Sequence, residues 1–91
     1  MAVTIYSTPT CPYCKIAKEF FEKNGVEYLD VNVAADQNEA KLMVEKSGQM
    51  GVPVIVIPSQ MAATGQEEII VGYDREKLIE VLAIETKLWF I

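Results

Sequence analysis

The sequence predicts an α/β domain in the order βαβ–ββα, a four-stranded mixed sheet flanked by three helices. Three observations carry this. Short segments rich in β-branched and aromatic residues alternate with longer ones whose apolar residues recur at three- and four-residue spacing. Turn-forming residues, among them Pro9, Gly25, Gly48 and Gly72, stand between these segments. A length of 91 residues with 51% hydrophobic content suits one packed core rather than two. Residues 1–91 are therefore read as a single domain, which at this size folds without metals or structural crosslinks.

Residues 2–7 read as a buried strand, broken by Ser7-Thr8-Pro9-Thr10. Pro12 suits the first turn of a helix, where its missing N–H costs nothing. Ile16, Ala17, Phe20 and Phe21 give that helix an apolar face, and Gly25 stops it, so it spans about Pro12 to Asn24. Glu27 to Val33 reads as a second strand. Asp36 and Glu39 have capping-box spacing, which starts a second helix; Ala40, Met43 and Val44 are its apolar positions and Ser47-Gly48 ends it.

Val52-Pro53-Val54-Ile55-Val56-Ile57 is a nearly continuous apolar strand, as expected for a central position buried on both faces. A loop over residues 58–66 leads to a strand from Glu67 to Val71. After the Gly72-Tyr73 turn, Asp74 can cap a last helix carrying Leu78, Ile79, Leu82 and Ala83. The Leu88-Trp89-Phe90-Ile91 end is expected to pack on the sheet. The first strand–helix–strand unit calls for parallel strands with a right-handed crossover, and the later pair calls for an antiparallel hairpin.

The balance of charge excludes several classes of function. A net charge of −5 with no run of Lys or Arg argues against nucleic acid or an anionic membrane as partner. Histidine is absent, which removes Ser–His and Cys–His catalysis together with the commonest metal ligand. No apolar run approaches the roughly 20 residues needed to cross a bilayer. The start, Met1-Ala2-Val3-Thr4, lacks the basic and apolar stretches of a signal peptide, so a cytoplasmic location is the default expectation. A monomer is expected as well.

Two cysteines remain, Cys11 and Cys14, so close in sequence that a bond between them closes almost no loop and adds little stability. Their setting, where a strand feeds a helix, points to redox chemistry instead. Disulfide exchange needs a thiolate, and a helix amino terminus supplies one through its unpaired N–H groups and positive dipole end. A thiol with a pKa near 8.5 falls to roughly 3.5–7.5 in such sites. Cys11, at the cap, is the expected nucleophile; Cys14, one turn inside and less exposed, would attack the mixed disulfide and release product. The competing reading is half of a zinc site, but zinc takes four ligands and the chain offers no further Cys or His. Tyr13 should be exposed between the cysteines, Lys15 reads as a solvated helix lysine, and Pro53 opens a strand whose ladder it cannot join. Two readings of Pro53 stay open: a rigid strand start, or a bend with a cis peptide that would leave the Val52 backbone free to pair with substrate.

With these residues in view, the chain resembles the glutaredoxins over nearly its whole length, and most of all the short YruB-type glutaredoxin-like proteins, which share Ser47-Gly48-Gln49-Met50-Gly51-Val52-Pro53. Cys11-Pro12-Tyr13-Cys14 is identical to the dithiol motif of that family. Gly51-Val52-Pro53 is similar to its Thr-Val-Pro, whose proline is cis, and Gly72-Tyr73-Asp74 to its Gly-Gly-x-Asp. The resemblance implies the thioredoxin fold and disulfide reduction linked to glutathione or to the thioredoxin system. It implies that Pro12, Tyr13, Gly51, Val52, Pro53, Gly72, Tyr73 and Asp74 form the groove for glutathione or substrate, Asp74 holding glutathione's α-amino group. No metal ligand and no bound cofactor are expected, with glutathione as co-substrate. The chain departs from the family at that groove: Thr8 and Pro9 stand where many members carry a lysine, Gly51 replaces the threonine, Val71 replaces the first glycine, and the loop over residues 58–66 is longer.

Three alternatives stay open. The electron donor to the pair could be a thioredoxin reductase, with the protein passing electrons on to another reductase. A dimer could share an iron–sulfur cluster through Cys11 and glutathione. The chain could also be a non-catalytic adaptor with an unreactive thiol.

Overall fold

The computed structural model of the chain describes residues 2–83. Strand β1 (Val3–Ser7) leads into helix α1 (Pro12–Lys23), then β2 (Tyr28–Asn32), α2 (Gln37–Ser47), β3 (Val54–Ile57), β4 (Glu68–Val71) and α3 (Arg75–Leu82). The sheet has the order β2-β1-β3-β4. β1 is parallel to β2, with Val3 opposite Tyr28 and Ser7 opposite Asn32. β3 runs antiparallel to both β1 and β4, pairing Tyr6 with Val54 and Val54 with Val71.

Period-two alternation divides the sheet between two cores. Val3 and Ile5 of β1 and Ile55 and Ile57 of β3 face α1 and α3, where they meet Ala17, Phe20, Phe21, Leu78 and Val81. Tyr6, Val54 and Val56 face the other way and pack on Met43 of α2. β3 is buried along its whole length, as its unbroken apolar run requires.

Local chemistry sets where the elements begin and end. Asp36 accepts hydrogen bonds from the N–H groups of Asn38 and Glu39 at the start of α2, and Gly48, with φ of 77°, closes that helix in the left-handed region. α1 ends at Asn24, whose side-chain amide donates to the Phe20 carbonyl at 2.8 Å.

Several sequence expectations shift. β3 starts at Val54, not Val52, because Pro53 has no N–H to give the ladder. Ile16 lies outside the apolar face of α1 and is 42% exposed. In α3 Ile79 and Leu82 pack on the core as expected, but Val81 is buried beside Leu78 in the place expected for Ala83, and Ala83 is the exposed cap residue after the helix. The segment before β4 is more than a connecting loop. Ala62 is buried in the α1–α3 core, and the Ala63 N–H donates to the Val81 carbonyl. The Leu88–Ile91 end lies outside the described residues.

Candidate active site

α1 begins at Cys11, which adopts an extended backbone and serves as the N-cap, with Pro12 in the first helical turn. The acceptor at this cap is sulfur: the Cys14 N–H donates to Cys11 Sγ at 3.1 Å. A sulfur in the cap position faces the free N–H groups of the first turn, the arrangement that stabilises a thiolate. The first turn of α1 carries no acidic residue, whereas those of α2 and α3 carry Glu39 and Glu76. No carboxylate in that turn offsets the positive end of the α1 dipole.

Cys11 and Cys14 are joined by a disulfide, with their Cα atoms 5.3 Å apart. Cys11 is 9% exposed and Cys14 is fully buried. An incoming thiol or disulfide therefore reaches Cys11 first, and Cys14 is reachable through Cys11. Tyr13 is 61% exposed beside them, and Pro12 is exposed.

The sheet register brings the other expected site residues to the same edge. Because Tyr6 pairs with Val54 and Val54 with Val71, the end of β1, the start of β3 and the end of β4 lie side by side. Val52–Pro53 is a cis peptide, with Pro53 fully buried and Val52 packed into the α2-side core. Gly51 is exposed just before it. The Gly72 N–H donates to the Pro53 carbonyl at 2.8 Å, which ties the turn after β4 to the start of β3. Gly72 adopts φ of 81°, a conformation that glycine accepts without strain. The Tyr73 ring meets Phe20 of α1 edge-on, with centroids 6.1 Å apart, so this turn also rests on the cysteine-bearing helix. Asp74 is exposed and caps α3, accepting from the Lys77 N–H at 3.1 Å.

Beneath the first turns of α1 lies a cluster that the sequence reading missed. The Ser7 hydroxyl, 3% exposed at the end of β1, donates to Asp30 of β2. The Lys18 ammonium of α1 donates to the other carboxylate oxygen of Asp30 at 2.9 Å. Burial pushes the Asp30 carboxyl up, but the Ser7 and Lys18 hydrogen bonds, with the lysine charge, outweigh it and hold it below the usual carboxylate range. The available signals were a polar residue closing an apolar strand and a lysine one helical turn after Cys14.

Two helices on one face of a four-stranded mixed sheet, a third on the other, and a cysteine pair opening the first helix define a thioredoxin-fold protein of the thiol oxidoreductase class. The chain belongs to the glutaredoxin family, whose profile matches residues 3–61. It is 44% identical over 81 residues to a glutaredoxin-like 8.6 kDa protein in the rubredoxin operon of Clostridium pasteurianum, covering 86% of this chain and 97% of that one. Glutaredoxin 3 of Escherichia coli is 34% identical over 58 residues, 64% of this chain and 70% of the relative. Among solved structures, a mutant of the thioredoxin-like protein BC3987 superposes with a TM-score of 0.76 at 31% identity, covering 91% of this chain and 96% of that one. A glutaredoxin from Archaeoglobus fulgidus superposes with a TM-score of 0.73 at 29% identity, covering 89% and 86%.

Proposed function

We propose that this protein reduces disulfides in proteins, or mixed disulfides with glutathione, through a two-step exchange at Cys11 and Cys14. The observation that carries the reading is the Cys11 sulfur in the N-cap position, with Cys14 buried one turn behind it. In the first step the Cys11 thiolate attacks one sulfur of the substrate. A bond forms between that sulfur and Cys11, and the other substrate sulfur leaves with the electron pair. In the second step Cys14 gives up its proton and its thiolate attacks Cys11. The Cys11–Cys14 disulfide forms, the substrate's remaining sulfur leaves reduced, and an external thiol or dithiol then reduces the pair.

The groove for substrate would be the edge formed by Pro12 and Tyr13, Gly51-Val52-Pro53 and Gly72-Tyr73-Asp74. Glutathione is the proposed co-substrate, acting on a monomer in the cytoplasm. Replacing Cys11 with Ser should abolish reduction of a small disulfide; retained turnover would refute the nucleophile assignment. The Cys11 thiol of the reduced protein should also be alkylated at mildly acidic pH, where an ordinary thiol is inert.

Thr8 and Pro9, standing where many glutaredoxins carry a lysine, favour a second reading for the electron source, a thioredoxin reductase. The variant Cys14→Ser separates the two. With glutathione as donor it should keep part of its activity, since a second glutathione can replace the resolving thiol; with a thioredoxin-type donor it should lose nearly all.

A further inference from the structure

We propose that Lys18 and Asp30 act as positioning residues that set the acidity of the buried Cys14 thiol, and with it the pH at which the mixed disulfide on Cys11 is resolved. The inference rests on the exchange reading above. Cys14 is fully buried, and burial alone disfavours a thiolate. Its sulfur must nevertheless ionise for the second step.

Lys18 follows Cys14 by one helical turn, and residues at that spacing lie roughly 5–6 Å apart on one helix face. Cα–Cβ bonds of a helix tilt toward its amino end, so the Lys18 stem leans back over the turn that carries Cys14. Its ammonium is bound by Asp30, which also accepts a hydrogen bond from the buried Ser7 hydroxyl at the end of β1. The pair is partly exposed, with the Lys18 and Asp30 side chains at 24% and 39%, so solvent screens its field in part. Other titratable groups at this edge are Cys11 itself, the Tyr73 phenol and the Asp74 carboxylate, which is bound at its own helix cap. Lys15, which follows Cys14 directly, is exposed. Lys18 is thus the first charged residue after Cys14 on the same face of the helix, and the two members of its pair with Asp30 pull the thiol in opposite directions. The cation favours the thiolate and the carboxylate opposes it.

The test uses the full-length reduced protein and an aromatic disulfide that releases a coloured thiolate, followed by stopped flow across pH. The first release reports Cys11, and the second reports attack by Cys14. Asp30→Asn leaves Lys18 uncompensated and should move the midpoint of the second phase to lower pH by about half a unit or more. Lys18→Gln should move it upward by a similar amount, and the double variant should return it close to the wild type. High salt should narrow these differences, which a purely structural role would not produce. Coincident second-phase midpoints, or shifts of the same sign in both single variants, would overturn the proposal while the first phase remained intact. Loss of the first phase in the wild type would instead refute the exchange reading itself. If Lys18→Gln does not fold, Asp30→Asn against the wild type at two ionic strengths decides: a downward shift that shrinks with salt supports the proposal, and no shift ends it.

Discussion

At Cys11 a sulfur atom takes the place usually held by an oxygen at a helix start, accepting the Cys14 N–H. Serine is among the best residues for that position, whereas alanine there costs about 1 kcal/mol. Cys11→Ser is therefore expected to keep its thermal midpoint near that of the reduced wild type while losing disulfide reduction. Cys11→Ala should lose both activity and about 1 kcal/mol, as melting curves beside an activity assay would show. Asp30 has an acid-linked role as well. Its carboxyl is held below its ordinary value in the fold, so its contribution to stability is complete above about pH 4 and fades as pH falls through the lowered value. Asp30→Asn should flatten the acid limb of a stability–pH curve and leave the neutral region nearly parallel to the wild type. Tyr28 behaves in the opposite sense. Its hydroxyl donates to Glu22, and that bond, aided by burial and the Glu22 and Asp30 charges, pushes its pKa up to about 12. The stability this lends is complete below about pH 10 and disappears as pH rises through about 12. Burial raises the Tyr6 phenol too, so an ultraviolet titration of Tyr28→Phe should show one fewer late-ionising phenol than the wild type, the loss falling near pH 12.

Helix α1 shows what periodicity reveals and what it hides. Ile16, Ala17, Phe20 and Phe21 share apolar character, and from that pattern the helix and its sheet-facing side were legible. The pattern could not say where the covered stripe ends, because that depends on how far the sheet extends beneath the helix. Phe21 is fully buried and Ile16 is 42% exposed. Phe21→Ala should accordingly cost about 3–5 kcal/mol, and Ile16→Ala under about 1 kcal/mol, in denaturant titrations. Strand β3 taught a related lesson. Its apolar run was readable, but the run includes Val52 and Pro53, and only backbone pairing shows that the ladder begins at Val54. The cysteine pair was legible because two residues in one motif at a predicted helix start need no tertiary information. The Ser7–Asp30–Lys18 cluster was not, since it draws one residue from each of β1, β2 and α1. Capping was the most local signal of all: Asp36 and Asp74 stand where the sequence put them.

The two cores share one sheet, and strands β1 and β3 supply side chains to both. Neither layer of helices has an apolar partner of its own apart from that sheet, so the layers should come apart together. Denaturation followed by far-ultraviolet circular dichroism and by tyrosine fluorescence is expected to give superimposable curves. Two separated transitions would mean that α2 leaves the sheet independently. The order β2-β1-β3-β4 also bears on how the molecule comes into being. β1 is made first, yet its second neighbour, β3, is among the last strands to be made, with Tyr6 waiting for Val54. A nascent chain still tethered to the ribosome with β3 inside the exit tunnel can form only the β1–α1–β2 unit, with one flank of its innermost strand open. Committed folding thus belongs to the moment after release of the later half, and a cell making this protein must keep that open flank away from other unfinished chains until then.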